Sequence, residues 1–189
     1  MQARRVGLGL ALALLGSSAL AEGPPGARVA SPAAEAPAAA VAGGLAFSGK
    51  TEIVDGPALQ VVFGDRAVFH LDAQGAPVLE ATEKGALAVA HPVGAVKEAF
   101  EAPGAGKLAI ALDGSPQKRA SYLKIWNGLD QPVLYRAGVL ALENGALKPT
   151  TVRVCAAPAH GTDILTWPAP VAAVAVANFT VVQDAKACQ

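Results

Sequence analysis

From Leu45 to Gln189 the chain is a succession of short apolar runs, separated from one another by Gly, Pro, Asn or Asp. The spacers are turn formers: Gly64-Asp65, Ala73-Gln74-Gly75, Asn127-Gly128 and Glu143-Asn144-Gly145. A Gly after Asn supplies the positive backbone angle that tight turns require. This punctuation predicts strands at Thr51–Val54, Leu59–Phe63, Ala67–Leu71, Pro77–Ala81, Ala86–Ala90, Leu108–Leu112, Ala120–Trp126, Val133–Leu142, Thr151–Cys155, Ile164–Trp167 and Ala173–Val182. Only Gly94–Phe100 has modest helical character. Short, evenly spaced strands read as an all-β fold, an antiparallel β-sandwich over 45–189. The competing layout is two small β modules divided near Ala102–Gly106. The pattern is generically similar to exported immunoglobulin-like sandwiches, without a motif that names a family.

The N-terminus reads differently. Arg4-Arg5 precede an apolar run, Val6–Leu15, and a small-residue stretch ending Ala19-Leu20-Ala21. That is the order of a secretory signal peptide, with cleavage after Ala21. The run is too short for a bilayer span, which needs about twenty residues. No Cys follows it, so a lipid anchor is not expected. Residues 22–44 are dominated by Pro, Ala and Gly and cannot form a packed core, so they are expected to be a tether. The expected location is periplasmic or secreted, in a bacterium.

The longest uncharged run, Ile164–Gln183, has the length of a membrane span. Pro168, Pro170 and the period-two recurrence of Val174, Val176, Asn178, Thr180 and Val182 favour a buried strand instead. No membrane span is expected in the mature chain. Removing Arg4 and Arg5 leaves 13 basic against 15 acidic residues, so no basic excess exists for nucleic acid. Aromatics are 5%, thin for a stacking platform.

Cys155 and Cys188 are the only cysteines, and an even count in an exported chain predicts a bridge. Their spacing lacks the clustered pattern of a zinc site. Gly44–Thr51 fits the phosphate-loop expression G-x-x-x-x-G-K-[ST], and Leu108–Asp113 resembles the companion apolar strand ending in an acid. The chemistry requires a helix behind the loop, whereas Asp55-Gly56-Pro57 would stop one. Ser115/Lys118 and Ser121/Lys124 fit the serine-acylase spacing, but residues three apart on a strand face opposite ways. His70, His91 and His160 are unclustered. No catalytic, metal or cofactor site is therefore expected. Asn178-Phe179-Thr180 matches a glycosylation acceptor, yet its setting predicts a buried strand position.

Ala120–Arg136 reads as a hairpin with Leu123 and Ile125 on one side and Tyr122, Lys124 and Trp126 on the other. Tyr122, Trp126, Arg136 and Trp167 are the candidate ligand patch, against the alternative that these aromatics are core. The functional expectation is a non-catalytic binding or scaffolding protein of the envelope, with a protein or glycan partner. An enzyme would need polar groups converging only in three dimensions. An inhibitor or chaperone acting by strand addition would show a long unprotected edge.

Overall fold

The computed structural model describes residues 40–42 and 45–189. The expected export signal, 1–21, and most of the expected tether lie outside the described residues. Twelve strands follow in order: β1 (Ala40–Ala42), β2 (Leu45–Phe47), β3 (Glu52–Val54), β4 (Ala58–Val62), β5 (Asp65–Leu71), β6 (Pro77–Lys84), β7 (Leu108–Ser115), β8 (Ala120–Asn127), β9 (Val133–Glu143), β10 (Ala146–Val152), β11 (Gly161–Trp167) and β12 (Val171–Val181).

Two five-stranded sheets carry the fold. Sheet I has the order β10-β9-β12-β4-β3, and sheet II the order β11-β8-β7-β5-β6. Every pairing is antiparallel. The chain is an antiparallel β-sandwich. Its main core is the period-two set of inward residues: Leu59 and Val61 from β4, Leu108, Ile110 and Leu112 from β7, Leu123 and Ile125 from β8, and Val174 and Val176 from β12. Each fully buried Leu or Ile contributes about 1.5–3 kcal/mol through area removed from water.

Both outer sheet faces are covered in part by the chain itself. The β1–β2 hairpin, with Ala42 opposite Leu45, draws on three residues of the stretch read as tether. From β2, Phe47 packs with Leu140, Ala173 and Ala175 of sheet I. On sheet II, residues 85–107 between β6 and β7 form a strap, with Leu87, Ala90 and Phe100 against Ala109, Ala111 and Trp126.

Turn chemistry explains most connections. Asn144 and Gly145 take φ of 52° and 78°, a two-residue turn that joins Glu143 to its partner Ala146. Asn127-Gly128 behaves otherwise, and the expected hairpin at Ala120–Arg136 is not formed. Asn127 instead donates to the carbonyls of Gln131 and Ala157, and its Oδ1 accepts from Leu129 N–H. The chain therefore crosses from β8 in sheet II to β9 in sheet I.

Three other expectations are corrected. Ala86–Ala90 is not a strand, because Asp113 takes the Leu87 N–H and the chain tightens into a 3₁₀ turn at Ala88–Ala90. Gly94–Phe100 is not helical: Gly94 has φ of 79°, and Phe100 is drawn onto sheet II. Asn178 is exposed, with φ of 56° at a bulge between Ala177 and Thr180. One extra residue reverses the alternation, so Phe179 rather than Asn178 enters the core. Its ring lies 5.3 Å from Phe69 and 6.1 Å from Tyr135. Asn tolerates the left-handed region better than other non-glycine residues, which makes the bulge cheap here.

The Cys155–Cys188 disulfide forms, with a Cα–Cα distance of 3.9 Å. Cys155 lies beyond β10, in an isolated bridge that the tail extends through hydrogen bonds between Val154 and Gln189. With a sequence separation of 33, the loop it closes contributes about 3–4 kcal/mol on chain-entropy grounds.

Candidate functional site: an apolar groove at one end of the sandwich

The four residues of the expected ligand patch do not meet. Tyr122 and Trp126 share the outer side of β8, under the strap. Trp167 on β11 packs against the main core from the other side of the same sheet. Arg136 is exposed on β9, in sheet I. Trp126 is only 4% exposed. The Phe100 ring meets it edge-on at 6.2 Å, and the buried Arg66 guanidinium lies 4.9 Å from its ring centre. Arg66 also bonds Glu83 at 3.1 Å and the Glu101 carbonyl at 2.7 Å. Lys124 sits 4.7 Å from the Trp126 ring centre and pairs with Glu98. The aromatic side of β8 is thus a second core.

Asp113 latches the strap. It is 6% exposed. Its Oδ2 accepts the Leu87 N–H at 2.7 Å and faces His91 Nε2 at 3.1 Å, while Oδ1 accepts the Gly114 N–H at 2.7 Å. The acid that resembled a magnesium ligand therefore holds backbone. The phosphate-loop look-alike is similarly occupied. Gln60, fully buried in β4, accepts from Ser48 N–H at 2.6 Å and donates to the carbonyls of Ser48 and Lys50. The Thr51 hydroxyl donates to Asp65 at 2.7 Å, and a strand rather than a helix follows.

Neither serine–lysine pair cooperates. The Ser121 hydroxyl donates to the Ala169 carbonyl and accepts from Val171 N–H, while Lys124 lies on the opposite face. Ser115 binds Gln117 and the Lys118 N–H, and the Lys118 ammonium reaches the Val89 carbonyl. His70 meets Glu80 at 2.8 Å and His160 meets Asp130 at 3.0 Å, both near the surface. Hydrogen bonds from Lys107 first and His70 second hold Glu80 below the usual carboxylate range.

A smaller recess of about 250 Å³ touches Trp126, His160 and Thr162, and a wider apolar surface lies elsewhere. At one end of the sandwich, a groove of about 640 Å³ runs between the β7–β8 turn, the β11–β12 turn and the β9–β10 ends. Phe63, Leu142 and Leu147 line it and are 51%, 42% and 45% exposed. Pro116, Pro168 and Pro170 complete the apolar wall. Among the described residues, Arg119, at the β7–β8 turn, is the only ionisable one lining it. Among the described residues, the Arg119 side chain has no hydrogen bond or ion pair. The two lining serines are both occupied, Ser121 by Ala169 and Val171, and Ser115 by Gln117 and Lys118. The prolines donate no hydrogen bond, so the wall offers an occupant little besides Arg119 for polar recognition. A close contact shapes the floor: a Cβ on Gly114 would meet the Phe63 ring at 2.8 Å.

No single sequence cue marks this groove. Its members are isolated apolar residues from four separate connections, each unremarkable alone. In class, then, the protein is a disulfide-bridged antiparallel β-sandwich with an internally latched strap and an open apolar end. No family model, curated protein or solved structure matches the chain.

Proposed function

We propose that this is an exported, non-catalytic binding protein of the bacterial envelope, and that the end groove takes an apolar chain bearing one anionic group. The observation that carries this reading is the groove itself: three half-exposed large apolar side chains with a lone arginine beside them. Its volume is within the range of small-molecule sites, about 300–1,000 Å³. A sugar or a peptide backbone needs several free hydrogen-bonding groups, and the lining hydroxyls are engaged within the protein. An alkyl tail needs none, and a carboxylate or phosphate head pairs with a guanidinium.

The disulfide supports export to an oxidising compartment, as does the signal-like N-terminus. The non-catalytic reading is supported by the structural bonds that occupy Asp113, Ser121 and Thr51. The test is calorimetric titration with palmitate, with hexadecanol as the uncharged control. Palmitate should bind, and Leu142→Asp should weaken it by tenfold or more. Arg119→Ala should weaken palmitate while leaving hexadecanol unchanged. Absence of palmitate binding, or binding indifferent to Leu142→Asp, would refute the assignment.

A further inference from the structure

The sandwich has four outer strands, and they are protected unequally. In sheet I, β3 has three residues, and β10 carries Lys148 and Pro149. In sheet II, β6 carries Glu80, Glu83 and Lys84 and is bulged against β5 between Val68 and Phe69. Shortness, charge, proline and bulges are the usual guards against strand addition. The remaining edge, β11, reads Gly161-Thr162-Asp163-Ile164-Leu165-Thr166-Trp167. It is seven residues long, pairs regularly with β8 without a bulge, and has no proline. Among the described residues it has no strand on its other side. Every second residue therefore directs its N–H and C=O away from β8, toward open space. Ile164, at the middle of this edge, is 40% exposed.

We infer that β11 is a self-association edge, pairing antiparallel with β11 of a second copy about a two-fold axis through Ile164. The strand order makes this register self-complementary. Ile164 would face Ile164, Thr162 would face Thr166, and Asp163 would face Leu165, so no like charges stand opposite each other. Paired β-branched residues and paired threonines are favourable cross-strand neighbours. A two-fold contact of this kind is closed, which joins two sheets II into one ten-stranded sheet without leading to a filament. Asp163 limits its strength. It is half-buried, on the same side as Leu165 and Trp167, and the two Asp163 carboxylates would lie diagonally across the seam. A contact confined to one strand buries less than the roughly 1,200 Å² of a stable interface, so the dimer is concentration-dependent. No residue of β11 itself lines the end groove, although the turn that follows Trp167 does.

Sedimentation of the purified protein tests this. A monomer–dimer equilibrium should appear between about 10 μM and 1 mM, the span expected of a weak interface. Ile164→Lys, a change at a half-exposed site, should abolish the dimer with an unchanged melting curve. Asp163→Asn should tighten it about three- to fivefold, the effect of relieving one like-charge neighbour across strands. Ile164→Cys should give a reducible cross-linked dimer, whereas Thr162→Cys, facing Thr166, should not. A monomer throughout the range overturns the inference and leaves the edge for a strand of another chain. A dimer that survives Ile164→Lys, or that cross-links equally through Thr162→Cys, overturns it as well.

Discussion

Two surfaces of this sandwich are rich in apolar side chains, and the chain treats them in opposite ways. On the outer side of sheet II, Tyr122 and Trp126 are roofed by the strap, which Asp113 and Arg66 fasten with charge-assisted hydrogen bonds. At the end of the sandwich, Phe63, Leu142 and Leu147 stay half-exposed with no latch beside them. The roofed surface contains buried charges that must be paired, since an unpaired buried charge costs several kcal/mol. The open one contains almost none. The lesson is that polar side chains near an apolar surface here serve closure, and their scarcity accompanies openness.

The sharpest way to break this contrast is to empty the roofed surface. Trp126→Ala removes the ring between Phe100, Arg66 and Lys124, and should cost about 3–5 kcal/mol, as large aromatic truncations in cores do. The strap should then loosen, and trypsin should cut after the exposed Lys97 much faster than in the unmodified protein. An unchanged thermal midpoint with slow cleavage would mean that the strap does not depend on this second core.

The strand pattern was legible because period-two burial against one core leaves its trace directly in the residue order. β4, β5, β7, β8 and β9 fall within a few residues of where the apolar runs place them. What was not legible depends on side chains that are distant in sequence. The Ala86–Ala90 run looks like a strand until Asp113, 26 residues beyond Leu87, captures its backbone. Asn127-Gly128 looks like a hairpin turn until Ala157, 30 residues away, engages the Asn127 amide. Asn178 looks buried because period two is assumed to continue, and a single left-handed residue breaks it. For the site, alternation correctly separated Leu123 and Ile125 from Tyr122 and Trp126. It carried no information on which face the chain would cover, because the strap is composed of weakly patterned residues.

A middle-sized effect sharpens the comparison from inside the main core. Tyr135 is fully buried, and its hydroxyl has no hydrogen-bond partner among the described residues. Burial first, and Asp163 second, push its pKa up. The sign follows from linkage: the folded state holds the neutral phenol, whereas the unfolded chain ionises it near pH 10. The stability of the fold does not depend on this titration below about pH 10, and falls by about 1.4 kcal/mol per pH unit above it. Tyr135→Phe should therefore raise stability by about 1 kcal/mol at neutral pH, by removing an unsatisfied buried hydroxyl. It should also flatten the alkaline decline. Denaturant melts at pH 7, 10 and 11 would check both, and a destabilised variant would mean that the hydroxyl has a partner.

The smallest expected change is at the open end. Leu147→Ser exchanges a half-exposed leucine on β10, an outer strand, for a small polar residue. Surface substitutions away from caps, networks and cores usually stay within about 0.5 kcal/mol. The groove has no latch to break, because Ser115 and Ser121 bond within the protein and the Arg119 side chain is free of partners among the described residues. Leu147→Ser should thus leave the melting curve and the cleavage rate at Lys97 unaltered, while palmitate affinity falls. A loss of stability near that of Trp126→Ala would make this end a core in its own right. It would erase the distinction between a surface that the chain closes and one that it leaves for a ligand.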